Sequence, residues 1–84
     1  MNRPLLTLTV LRRSCRVSQL AIAEAVGCFQ SDVSQWENGG RPLSEERAWI
    51  ILQLLRTKNR KATRGIKTSD LVRPWDEVLL EHVA

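Results

Sequence analysis

Eighty-four residues with a net charge of +4 and 43% hydrophobic content describe one small globular domain rather than a disordered or fibrous chain. No apolar run approaches the ~20 residues of a membrane span; the mildly apolar start is cut by Arg12 and Arg13 with no small-residue cleavage site behind them, so the expected location is the cytoplasm. Two cysteines and one histidine form no Cys-x-x-Cys or metal-spaced cluster, and neither a metal, a cofactor nor a disulfide is expected.

Leu5, Leu8 and Leu11 recur at helical spacing, with Leu6 and Val10 widening the stripe, so a first helix is expected from residue 4 or 5 to Ser14. Pro4 is acceptable in a first turn. The β-branched Thr7, Thr9 and Val10 keep a strand over 6–10 as the competing reading. Cys15 is expected half-exposed. Ser18 is a natural N-cap for a second helix of about two turns carrying Leu20, Ala21, Ala23, Ala25 and Val26. Gly27 ends that helix, because a left-handed C-terminal residue carries no Cβ penalty when it is Gly. Cys28 falls in the turn and is expected as a buried small hydrophobe. A third helix restarts near Gln30, with Val33 and Trp36 on its inward face. Ala23, four residues before Gly27, lets the two helices cross closely.

Asn38, Gly39 and Gly40 stop the third helix. Ser44 is positioned to cap a fourth over 45–56, with Glu45 and Glu46 at its positive end. Ala48, Trp49, Ile51, Leu52 and Leu55 are its expected inward stripe, and Trp36 and Trp49 are both read as core residues. Residues 56–67 carry Arg56, Lys58, Arg60, Lys61, Arg64 and Lys67 with no acid and read as a basic loop. Arg73-Pro74-Trp75 opens a last helix with Asp76 and Glu77 in its first turn and Trp75, Val78, Leu79, Leu80 and Val83 on an apolar face. That face folds back on the first and fourth helices, completes a dimer, or stays disordered. The charge is uneven: residues 1–67 hold twelve Lys or Arg against five acids, whereas residues 68–84 hold Arg73 against Asp70, Asp76, Glu77 and Glu81. Alone, such a surface serves solubility as readily as a partner; joined to two helices crossing at the Gly27 turn, a positive face toward a polyanion becomes the better account.

The residues Val17-Ser18-Gln19, Leu20-Ala21, Ala23-Glu24, Val26-Gly27, Ser31, Val33-Ser34, Trp36-Glu37 and Gly39 together resemble the Cro and lambda-repressor class of phage and bacterial regulators, also called the XRE-like family. The resemblance runs from about Leu8 to Leu55. The block from Ala23 to Gly27 with Ser34, Gln35 and Trp36 is also similar to the lysogeny activators of lambdoid phages. This likeness implies an all-α, compact four- to five-helix bundle, a lambda-repressor-like DNA-binding domain. Residues 1–56 would be its helix-turn-helix core, and 57–84 a basic loop and C-terminal helix of the same domain, available for dimerisation.

In a helix-turn-helix the second helix enters the major groove and its N-terminal half meets base edges. With Val33 and Trp36 inward, the outward residues are Gln30, Ser31, Asp32, Ser34, Gln35 and Asn38. Gln30, Ser31, Asp32, Ser34 and Gln35 are the expected base contacts, Gln30 because an amide both donates to and accepts from adenine. Asp32 serves either the helix dipole or the amino group of cytosine. The resemblance gives Gln19 the role of a phosphate contact that braces the recognition helix, and Asn38 and Arg41 that of a backbone clamp. Arg12, Arg13 and Arg16 are expected on flanking phosphates, with residues 56–67 further along a strand.

The function expected is a sequence-specific regulator of double-stranded DNA, a Cro-like repressor of phage type acting as a homodimer on two half-sites. The alternatives are an autoregulating antitoxin whose last helix covers a toxin, and a lysogeny-type activator touching RNA polymerase through Glu45, Glu46 or the acidic tail. No nucleophile with His, paired carboxylates or phosphate-cradling Gly loop argues for an enzyme.

Overall fold

The computed structural model describes residues 5–83, which form five α-helices and one short 3-10 helix, with no strand longer than an isolated bridge among them. The helices are α1 (Thr7–Ser14), α2 (Gln19–Val26), α3 (Gln30–Asn38), α4 (Glu45–Lys58) and α5 (Trp75–Val83), and the 3-10 helix is Thr68–Val72. The expectation of an all-α bundle of four to five helices is met, and the strand considered over 6–10 is replaced by α1.

Helix α1 starts later than its leucine spacing suggests. Leu5 and Leu6 are drawn out of the helix by the chain's other end: the Trp75 N–H donates to the Leu5 carbonyl at 2.8 Å and the Thr7 N–H to the Arg73 carbonyl at 2.9 Å. Leu6 and Pro74 form an antiparallel bridge. Leu5 is therefore exposed, while Thr7 and Thr9 are buried beside Leu8 and Leu11. Pro4 lies outside the described residues. Arg16 closes α1 with a φ of +57°, a left-handed conformation that costs a non-glycine residue about 1 kcal/mol.

The capping expectations hold at both serines. Ser18 Oγ accepts from the Ala21 N–H at 3.0 Å, and Ser44 Oγ accepts from the Arg47 N–H at 3.2 Å. Gly27 has a φ of +83°, and its N–H donates back to the Ala23 carbonyl at 2.8 Å. A Cβ at Gly27 would meet nothing within 4 Å, so the backbone angle, not space, demands glycine there. In α2 the buried pair is Ile22 and Ala23; Leu20 and Ala25 are exposed. Ile22, which the sequence pattern did not single out, is the main apolar anchor of this helix.

Ala48, Ile51, Leu52 and Leu55 form the buried stripe of α4. Trp49 corrects the sequence expectation: it is 57% exposed. The four buried residues are spaced i, i+3, i+4 and i+7, and one step beyond Ala48 turns a side chain about 100° off that line. Trp36, by contrast, is buried, with the Arg47 guanidinium 5.7 Å from its ring centroid. Cys15 is also corrected: it is buried, its Sγ donates to the Leu55 carbonyl at 3.6 Å, and burial pushes its thiol above the ordinary range. Cys28 is half-buried against the core.

Beyond Lys58 the basic segment folds into turns rather than a loose loop. Thr63 is buried and donates to the Asn59 carbonyl, and Arg56 donates to the Ile66 carbonyl at 3.1 Å. Asp70, buried, caps the 3-10 helix by accepting the Lys67 N–H at 2.9 Å. That helix packs on α1 and α4, and α5 packs on α1. Ile66, Leu71 and Val78 thereby join Leu8, Leu11, Ile51, Leu52 and Leu55 in one apolar cluster. Arg73 gathers the tail acids: it bonds Asp70 at 3.1 Å, pairs with Glu77 at 3.8 Å, and is held closely by Glu81. The bond to Glu81, with that to Asp70 behind it, holds this guanidinium above its ordinary pKa.

Candidate nucleic-acid interface

Helices α2 and α3 pack across the Gly27 turn, and α3 divides into two faces. Val33 and Trp36 face the core, Gln30, Ser31, Gln35 and Asn38 are exposed, and Asp32 and Ser34 are half-buried. An amphipathic helix of this length and polarity suits a major groove ~12 Å wide.

A chain of polar contacts fixes α3 against α1 and α2. Arg12 Nε donates to Glu37 Oε2 at 2.5 Å and its terminal nitrogen to Oε1 at 3.1 Å, a two-pronged pair whose side chains are only 12% and 6% exposed. A third Arg12 donor reaches the Val17 carbonyl at 3.1 Å. Glu37 Oε1 also accepts from Gln19 Nε2 at 3.0 Å, and Gln19 Oε1 in turn accepts from Gln30 Nε2 at 3.4 Å. The first residue of α2 thus bridges the C-terminal and N-terminal ends of α3. Planar guanidinium and carboxylate groups match in this geometry, which an ammonium would not reproduce.

Asp32 works at the N-terminus of α3. Its Oδ2 accepts the Phe29 N–H at 3.1 Å, and its Oδ1 accepts from Arg41 at 2.9 Å. A carboxylate there opposes the helix dipole favourably. Asp32 also adds to the effect of burial in raising the Cys28 thiol, which Arg47 partly offsets. Ser34 Oγ accepts from Asn38 Nδ2 at 3.5 Å. Arg13, Arg16 and Arg41 are exposed.

Two features of this region are hidden from a residue-by-residue reading. Glu37 is the hub of the contacts that hold α3; the family resemblance includes it but gives it no role, which only its pairing with distant Arg12 and Gln19 reveals. Phe29, the last residue before α3, is 78% exposed. Its signal in the sequence is a large aromatic placed in a turn, outside every apolar stripe. Further from α3, Arg56, Arg60 and Arg64 line an open cleft of about 650 Å³ with Gln53, Thr57, Thr63 and Gly65.

Among the described residues no group of three or more His, Cys, Asp or Glu is placed to hold a metal ion, and no helix is long and apolar enough to cross a membrane. The model of the helix-turn-helix domain family matches residues 6–64. This chain belongs to that family, whose members are DNA-binding regulators and not typically enzymes. No curated protein and no solved structure matches it.

Proposed function

We propose that this protein is a sequence-specific, double-stranded DNA-binding transcriptional regulator, a Cro-like repressor of phage type that works as a homodimer in the cytoplasm of a bacterial cell. The observation that carries this reading is the polar face of α3, turned outward while Gln19 and Glu37 brace the helix from behind. Gln30, Ser31 and Gln35 are the side chains offered to base edges, with Ser34 beside them. Asp32 takes the capping role, since both of its oxygens already have partners. Gln19 at the start of α2, Asn38, Arg41, Arg13 and Arg16 are the proposed phosphate contacts. Arg12 we assign to bracing α3 through Glu37, because its donors already serve Glu37 and Val17.

One domain reads too few base pairs for a genome, so two copies on one DNA face, ~34 Å apart, are the economical solution. Exposed Leu79 and Leu80 on α5 support pairing through the C-terminal region. The division of labour we propose is that 1–56 reads DNA while 57–84 completes the domain and joins the copies.

Selection of bound duplexes from randomised DNA, followed by footprinting, tests the proposal. Two protected half-sites about one helical turn apart are expected; an absence of any protected sequence at low salt overturns it. Gln30→Ala is expected to cost about 1–3 kcal/mol, confined to one operator position per half-site. An equal loss on random DNA would remove Gln30 from the base contacts. The basic cleft and its surroundings supply a second check. Neutralising Arg60, Lys61 and Arg64 together is expected to reduce the slope of log affinity against log salt by about 0.9 for each phosphate that the variant no longer neutralises. An unchanged slope assigns that segment to solvent.

A further inference from the structure

We propose that Phe29 reads the 5-methyl group of thymine, an inference that rests on α3 being the helix that enters the major groove. Phe29 is the N-cap residue of α3 and stands 78% exposed immediately ahead of Gln30. Folding makes limited use of this side chain, since most of its surface remains in water. Its neighbours along the outward side, Gln30 and Ser31, are polar and exposed. A single ring at the edge of a polar surface suits a single small apolar group better than it suits a protein partner, whose anchors cluster in desolvated patches.

The major groove presents one such apolar group, the thymine methyl, and phenylalanine is among the side chains that contact it. The backbone of Phe29 is held for this task. Its N–H donates to Asp32 Oδ2 at 3.1 Å and its carbonyl accepts from the Asp32 N–H at 3.0 Å. Arg41 fixes the other Asp32 oxygen at 2.9 Å. The ring therefore sits on a locked turn, which lowers the ordering cost of the contact. With the Gln30 amide directed at adenine, Phe29 and Gln30 together select A·T pairs at adjacent positions, one by its methyl and one by its hydrogen-bonding edge.

The test uses the full chain and a duplex enriched by selection from random-sequence DNA, with thymidine replaced by deoxyuridine one position at a time. This change removes the methyl and keeps every hydrogen bond. At one or two positions per half-site, uracil is expected to weaken binding by the unmodified protein about fourfold, the value of one buried methyl-sized group. Phe29→Ala is expected to abolish that penalty and Phe29→Leu to retain it. Because the ring is exposed, both variants are expected to keep the helical circular-dichroism spectrum of the parent. Equal binding of thymine and uracil duplexes by the parent, or a penalty that survives in Phe29→Ala, overturns the role of Phe29 and leaves DNA binding standing. A Phe29→Ala protein with altered sedimentation and unaltered base preference overturns it in favour of a protein contact. Failure to enrich any duplex overturns the DNA reading itself, and this inference with it.

Discussion

Replacing Glu37 by Ala is expected to destabilise the domain by about 3 kcal/mol and to lower its melting temperature by about 12–24 °C. The side chains of Arg12 and Glu37 are 12% and 6% exposed, so the pair is close to a buried one. Removing the carboxylate leaves a guanidinium deprived of two acceptors in a place water barely reaches, and a stranded charge of that kind is what makes such deletions costly. It also strands the Gln19 amide, which donates to the same carboxylate. An exposed pair behaves differently, because solvent screens it and the loss is under about 1 kcal/mol. Urea unfolding followed by circular dichroism discriminates the two, and a loss below that limit would show that the pair is no more than a surface contact. Changing both residues to apolar ones of similar volume is expected to cost far less than the single change. Such a double variant would still bind DNA poorly, since Gln19 would lose the carboxylate that orients it toward Gln30.

The legible parts of this fold are those decided within one turn of chain. Ser18 and Ser44 cap helices through N–H groups three residues ahead, and Gly27 supplies a φ that other residues resist. The inward pair Val33 and Trp36 follows from spacing alone, and with it the exposure of Gln30, Ser31, Gln35 and Asn38, whereas Asp32 and Ser34, also expected outward, are half-buried. What the sequence hides are decisions made between distant segments. The first leucines leave α1 because Trp75 bonds the Leu5 carbonyl and Leu6 bridges to Pro74. Trp49 is as apolar as its neighbours, and only the position of the packed stripe sends it to solvent. Arg12 looks like any arginine near a basic face until Glu37, twenty-five residues on, is placed against it. For the same reason the bracing of α3 is visible in the sequence only at Gln19, through family resemblance, and not at Glu37. Cys15 is misread because its burial depends on the C-terminal half of α4.

The region past residue 64, beyond the stretch matched by the family model, carries the last and most consequential expectation. Leu71→Ala is expected to cost about 3 kcal/mol, within the usual 2–5 kcal/mol for emptying a core leucine site. Leu71 is fully buried, and the 3-10 helix that bears it packs on both α1 and α4. A domain of this size has a small margin, so such a loss takes up much of the ~5 kcal/mol that the least stable natural domains possess. Truncation before Asp70 goes further. It removes Leu71 and Val78 from the core, together with the carbonyl of Arg73 and the N–H of Trp75 that anchor the start of α1. Were the tail only a dimerisation arm, the shortened chain would be a folded monomer with native helicity. The packing predicts instead a chain without cooperative unfolding, in which α2 and α3 no longer hold their crossing because α1 and α4 are deprived of their shared support. Circular dichroism with a thermal scan on the chain ending at Ser69 decides between them. A sharp transition near that of the full protein would mean that the helix-turn-helix stands by itself and that Leu71 and Val78 only cover it.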